Sequence, residues 1–193
     1  MKRICVFAGS SPGRRESYAT ATRELAAVAV ARGYGIVYGG GRVGLMGILA
    51  DAALALGGEV IGVIPEALVT KEIEHRALTR LEVVQSMHER KAMMADLASA
   101  FVALPGGVGT LEELFEIVTW GQLGFHNKPC GVLDVDGYWD DLHRLLDRAV
   151  EEGFLRAEHR RMLMVETDAA RLLDRFEAYQ PPVIPKWIDR DEV

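Results

Sequence analysis

Short, wholly apolar runs alternate along the chain with longer stretches in which apolar residues recur every three or four positions. The runs are Ile4–Ala8, Ile36–Tyr38, Val60–Ile64, Leu81–Val84, Phe101–Leu104, Gly131–Leu133 and Leu163–Val165. A strand of a parallel sheet is covered by helices on both faces, so it reads as a continuous apolar run rather than an alternating one. The stretches between them predict helices over residues 16–32, 44–56, 87–99, 111–123, 138–152 and 168–178. Strand and helix alternating in this way make βαβ units. The predicted fold is α/β: a Rossmann-like, doubly wound parallel sheet of about seven strands with helices on both faces.

Two helix starts carry the spacing of a capping box, a hydroxyl at the cap and a carboxylate three residues on: Ser86-Met87-His88-Glu89 and Thr110-Leu111-Glu112-Glu113. The segment Gln180-Pro181-Pro182-Val183-Ile184-Pro185 cannot continue the preceding helix, because proline lacks the amide donor and favours extended backbone. Residues 1–180 therefore read as one domain and 181–193 as a proline-containing tail. The apolar stretch at the amino terminus is cut off by Gly9 and is too short for a signal peptide. It is read as the first strand, and no stretch is long enough to span a membrane.

Composition narrows the function classes. At 193 residues, with 49% hydrophobic and 26% charged residues, the chain can build a core without a disulfide or structural metal. A net charge of −6 offers no general attraction for nucleic acid or an acidic membrane. Cys5 and Cys130 each lie in an apolar run, as buried reduced thiols do, which suits the cytoplasm. His75, His88, His126, His143 and His159 show no metal-ligand spacing.

Three of the predicted strands end in glycine-rich turns: Gly9-Ser10-Ser11-Pro12-Gly13, Gly39-Gly40-Gly41-Arg42-Val43-Gly44 and Pro105-Gly106-Gly107-Val108-Gly109-Thr110. Glycine lets backbone amides approach an anion, and the helix that follows turns its positive end to the same anion. In open α/β sheets such turns converge at the carboxyl edge, at the topological switch point. Gly9, Ser10, Gly40 and Gly41 are therefore candidates to hold a nucleotide phosphate. The sequence has no Gly-x-x-x-x-Gly-Lys-Ser/Thr, which excludes a P-loop. Gly39-x-Gly41-x-x-Gly44 formally fits a dinucleotide fingerprint with Glu59 downstream, but Glu59 should open a strand and point away from a ribose.

Met87-His88-Glu89-Arg90-Lys91 and Pro105-Gly106-Gly107-Val108-Gly109-Thr110-Leu111-Glu112-Glu113 closely resemble the MxxRK and PGGxGTxxE signatures of the LOG ("Lonely guy") family. Those proteins are cytokinin-activating nucleoside 5′-monophosphate phosphoribohydrolases, long mislabelled as lysine decarboxylases. Val6–Gly13, Tyr38–Gly47 and Thr119–Gly124 are similar to the same family, so the likeness runs over roughly residues 4–155. The resemblance implies that Arg90 and Glu113 are the catalytic pair. It also implies that Glu72, Arg90, Lys91, the 106–112 loop (Gly106, Gly107, Val108, Gly109, Thr110, Leu111, Glu112) and Thr119 line the nucleotide pocket. Val108 stands where tyrosine is common in the family. The expected substrate is a nucleoside 5′-monophosphate, with no cofactor and no metal, and the expected assembly is a homodimer.

Each residue also has a plainer reading. A capping box alone is a sufficient reason for Glu113. Arg90 and Lys91 fall early in a helix, where cations oppose the macrodipole, so their position argues for a role beyond a solvated face. Composition alone would place Glu72 in an exposed loop, and Trp120 with Leu123 reads as core or subunit contact before a base-stacking shelf. Glycine loops also bind without catalysing, and the similarly folded molybdenum-cofactor carriers keep a non-catalytic alternative open. A decarboxylase would need a Schiff-base lysine; Lys91 is the one lysine near the phosphate loop, and beside Arg90 it reads better as an anion clamp.

Overall fold

The computed structural model describes residues 2–69 and 74–182. In chain order the elements are β1 (Arg3–Phe7), α1 (Glu16–Ala31), β2 (Gly35–Tyr38), α2 (Gly44–Ala55), β3 (Val60–Pro65), α3 (Glu66–Val69) and β4 (Arg80–Val84). Then come α4 (Met87–Leu97), β5 (Ala100–Ala103), α5 (Val108–Gln122), β6 (Cys130–Leu133), α6 (Asp140–Glu151), α7 (Ala157–Arg160), β7 (Leu163–Glu166) and α8 (Ala169–Glu177). Every predicted strand and long helix is present. Among the described residues, the four-residue α3 and α7 are additional, being too short to show a helical period in sequence.

The seven strands form one sheet in the order β4-β3-β2-β1-β5-β6-β7, and all its pairs are parallel. The chain winds outward from β1 to β4, then returns to place β5 on the other side of β1. That reversal puts the switch point between β1 and β5, where Cys5 is level with Phe101 and Phe7 with Ala103.

Side-chain alternation in the strands divides the interior into two cores. Ile4, Val6, Ile36, Tyr38 and Val102 pack under α1, α2 and α8 on one face. Cys5, Phe7, Val37, Phe101 and Val132 pack under α4, α5 and the Trp139 ring on the other. Both cysteines are free and buried, as expected.

The Ser86 cap forms as predicted: its hydroxyl accepts from the Glu89 amide at 3.1 Å. Glu89 reaches back to the Gln85 amide at 2.8 Å, one residue before the usual partner. The second box is corrected by the structure. Helix α5 opens at Val108 with Gly107 as its cap, so Thr110 and Glu113 are helical residues on its buried face. Glycine runs read as turns in sequence, yet Val108 and Gly109 supply the first helical positions of α5.

Candidate active site

The loops after β1 and β5 meet at the switch point. The Gly9 amide donates to the Pro105 carbonyl at 3.1 Å, and the Leu45 amide donates to Gly9 at 3.0 Å, so the start of α2 is tied to the same place. Space here is tight enough to require glycine: a Cβ on Gly106 would stand 2.1 Å from Thr110 Oγ1 and 2.9 Å from the Gly9 nitrogen. Beside this junction lies a cleft of about 220 Å³ walled by Gly9, Ser10, Pro12, Gly106, Tyr18 and Tyr138. The amino end of α5 stands at its rim with Gly107, and the first amides of a helix have no partner within it. Amides left free in this way can seat an anion.

Arg90 and Glu113 come together as well, though neither lines this cleft. Arg90 Nη2 lies 3.1 Å from Glu113 Oε1, and the two side chains are buried. Arg90 Nε donates to the Val63 carbonyl at 3.2 Å, and Nη1 approaches the Met87 sulfur. The guanidinium passes over Gly39, where a Cβ would lie 2.1 Å from Nη2. This is why the loop after β2 needs its first glycine. Burial pushes the Glu113 carboxyl above its ordinary range, with Arg90 the main opposing influence.

Lys91 points to α5 rather than into the cleft. Its ammonium bonds Glu112 at 2.5 Å and Glu116 at 3.0 Å. Burial works against its charge, but these two carboxylates outweigh it and hold the amine above its usual pKa. A charged, doubly paired amine is a poor Schiff-base nucleophile. The early-helix cations that opposed the macrodipole are thus both neutralised by α5.

The remaining candidates are distributed as follows. Gly9, Ser10, Gly106 and Gly107 line the cleft. Thr110 is buried against Gly106, Val108 is largely exposed, and Leu111 packs on the α4–α5 core. Gly40 and Gly41 are engaged elsewhere: Gly40 accepts from the His75 amide and Gly41 bridges Glu74. Thr119 is exposed, donates to the Phe115 carbonyl of its own helix, and faces a separate apolar groove between α5 and α6. Glu72 lies outside the described residues. Glu59 precedes β3 and pairs with Arg3 at 2.7 Å, away from the carboxyl edge, as the sequence reading required. Trp120 packs on the core, whereas Leu123 is exposed.

Sequence reasoning missed Tyr18, Tyr138 and the role of Gly39. The tyrosines lie outside the glycine turns and reach the cleft only through the fold. Among the described residues no cluster of three or more metal-ligating side chains occurs, and no helix is long and apolar enough to cross a membrane.

Comparison with known proteins identifies the family and the fold. The family model described as possible lysine decarboxylase matches residues 46–176. A probable cytokinin riboside 5′-monophosphate phosphoribohydrolase of Oryza sativa subsp. japonica is 49% identical over 94% of this chain and 74% of its own length. A cytokinin riboside 5′-monophosphate phosphoribohydrolase of Arabidopsis thaliana is 47% identical over 93% of this chain and 79% of its own. The molybdenum cofactor carrier protein of Chlamydomonas reinhardtii has a TM-score of 0.69 over 93% of this chain and all of that one, at 21% identity. The last likeness is one of fold.

Proposed function

The chain belongs to the LOG family, and from that premise we propose that it hydrolyses the N-glycosidic bond of adenosine 5′-monophosphate or its N6-modified forms. The products are the free base, a cytokinin or adenine, and ribose 5-phosphate. The observation that carries this reading is the buried Arg90–Glu113 pair, packed against the glycine-rich turn after β2. A simple phosphate carrier has no need of it.

Breaking a ribosyl–base bond develops positive charge on the sugar carbon, so negative charge close by lowers the barrier. Glu113, as carboxylate, supplies that charge or takes a proton from the attacking water. The water oxygen bonds C1′, and the electron pair of the C1′–N9 bond leaves on the base, which takes up a proton. Arg90 holds Glu113 in place and presents a planar fork to sugar or phosphate oxygens. The 5′-phosphate sits at the amino end of α5 and on the Gly9–Ser10 turn.

Exposed Phe115, Leu123, Phe125 and Leu145 support a homodimer, and the free buried thiols support a cytoplasmic setting. The test is product analysis: equimolar base and ribose 5-phosphate from the nucleotide support the proposal. Tight nucleotide binding without either product would replace it with a carrier.

A further inference from the structure

We propose that Tyr138 is a positioning residue for the phosphate-binding loop: its hydroxyl caps the Gly106 carbonyl and so keeps the loop's donor side turned to the anion. The inference rests on the nucleotide hydrolysis proposed above. A loop that holds an anion through its amides also carries carbonyl oxygens, which repel the same anion unless donors engage them. In this loop two successive carbonyls are engaged: Pro105 accepts from the Gly9 amide at 3.1 Å, and Gly106 accepts from the Tyr138 hydroxyl. The second donor comes from a different part of the chain, the turn between β6 and α6.

That turn is built to hold the ring still. Asp134, buried at the end of β6, accepts from the Trp139 amide at 3.0 Å, and the buried Trp139 indole donates to the Leu133 carbonyl at 3.2 Å. On the other side Asp136 accepts from the Ser17 hydroxyl at 2.6 Å and pairs with Arg15 at 3.4 Å. Asp136 has a φ of 55°, the only positive value at a non-glycine position among the described residues. Such a conformation persists only where the surroundings over-determine it. The Tyr138 ring stands edge-on to Trp139 at 5.0 Å and to Tyr18 at 5.9 Å, and both tyrosines wall the cleft. Phenylalanine at 138 would keep those ring contacts and lose only the cap, which assigns the hydroxyl a separable task.

Tyr138→Phe tests this with two measurements on the full chain: calorimetric binding of ribose 5-phosphate, and KM against kcat for AMP. The affinity for ribose 5-phosphate is expected to weaken roughly three- to tenfold, the range of one neutral hydrogen bond, with KM rising in step and kcat nearly unchanged. Thermal stability stays close to wild type. Unchanged ribose 5-phosphate affinity overturns the proposal, and so does an equal fall in kcat and stability, which would mark a merely structural residue. A wild-type protein that releases no base from AMP overturns the hydrolase reading instead, while its ribose 5-phosphate affinity beside that of Tyr138→Phe still decides the role of the hydroxyl.

Discussion

Arg90 Nη2 and Glu113 Oε1 stand 3.1 Å apart, joining the first turns of α4 to the second turn of α5 across the carboxyl edge of the sheet. The side chains are 11% and 10% exposed, so neither charge is well solvated without the other. Burial favours the neutral acid at Glu113 and the arginine favours the carboxylate, which leaves Glu113 raised but close to its partner's control. A carboxyl held in that balance suits acid–base work at a sugar carbon.

Gly39→Ala should disturb the Arg90–Glu113 pair. The new methyl would meet Arg90 Nη2 at 2.1 Å, so the guanidinium has to shift away from its buried partner. We expect a fall in kcat/KM of about 100-fold, as misplacement by an ångström can produce. Stability should fall as well, by about 3 kcal/mol, because a buried charge loses its partner. Steady-state kinetics and a melting curve on the same preparation check both parts.

Lys91→Met should move the acid limb of the pH–rate profile to higher pH. Activity in this account needs Glu113 ionised, so the limb records its protonation as pH falls. Lys91 lowers the Glu113 pKa, while Glu112 and Glu116 raise it. Removing the lysine takes away the first influence and unmasks the other two, since both carboxylates bond its ammonium. Both effects have the same sign. A limb that stays still or shifts to lower pH would show that a different group titrates.

At Gly44 the expected effect is on stability. Its φ is +61°, and a Cβ there would come within 2.3 Å of the Ser10 carbonyl carbon and 2.4 Å of the Ser11 nitrogen. These are backbone atoms with no rotamer to adopt. Gly44→Ala should cost about 2 kcal/mol or more, and lower the melting midpoint by roughly 4–8 °C.

Cys5 and Cys130 should be inert toward an aromatic disulfide reagent until the protein unfolds. Both are buried; burial pushes the Cys130 thiol up to about 12 and the Cys5 thiol well above its usual value, so little thiolate forms. Reaction of either thiol at the rate of a free one in native buffer would contradict the burial.

The sheet was legible because its strands are buried on both faces, which writes each of them as an apolar run, and α6 and α8 show a clear helical period. The Ser86 cap was legible because hydroxyl and carboxylate bond locally. Thr110 and Glu113 have the same spacing, yet they belong to the helix interior, because Gly107 caps α5 instead. Spacing alone does not distinguish a box from two residues on one helical face. The Arg90–Glu113 contact joins residues far apart in sequence, so only the family signatures pointed to it. Tyr138 reaches Gly106 through the order of β1, β5 and β6 in the sheet. No local pattern carries that information.

The most direct test of the Arg90–Glu113 pair as a hydrolytic centre is base release from AMP and isopentenyladenosine 5′-monophosphate, with Glu113→Gln and Arg90→Ala compared to wild type. The account predicts release by the wild type and a loss of about two to four orders of magnitude in each variant, with the fold retained. Full turnover in Glu113→Gln would contradict it.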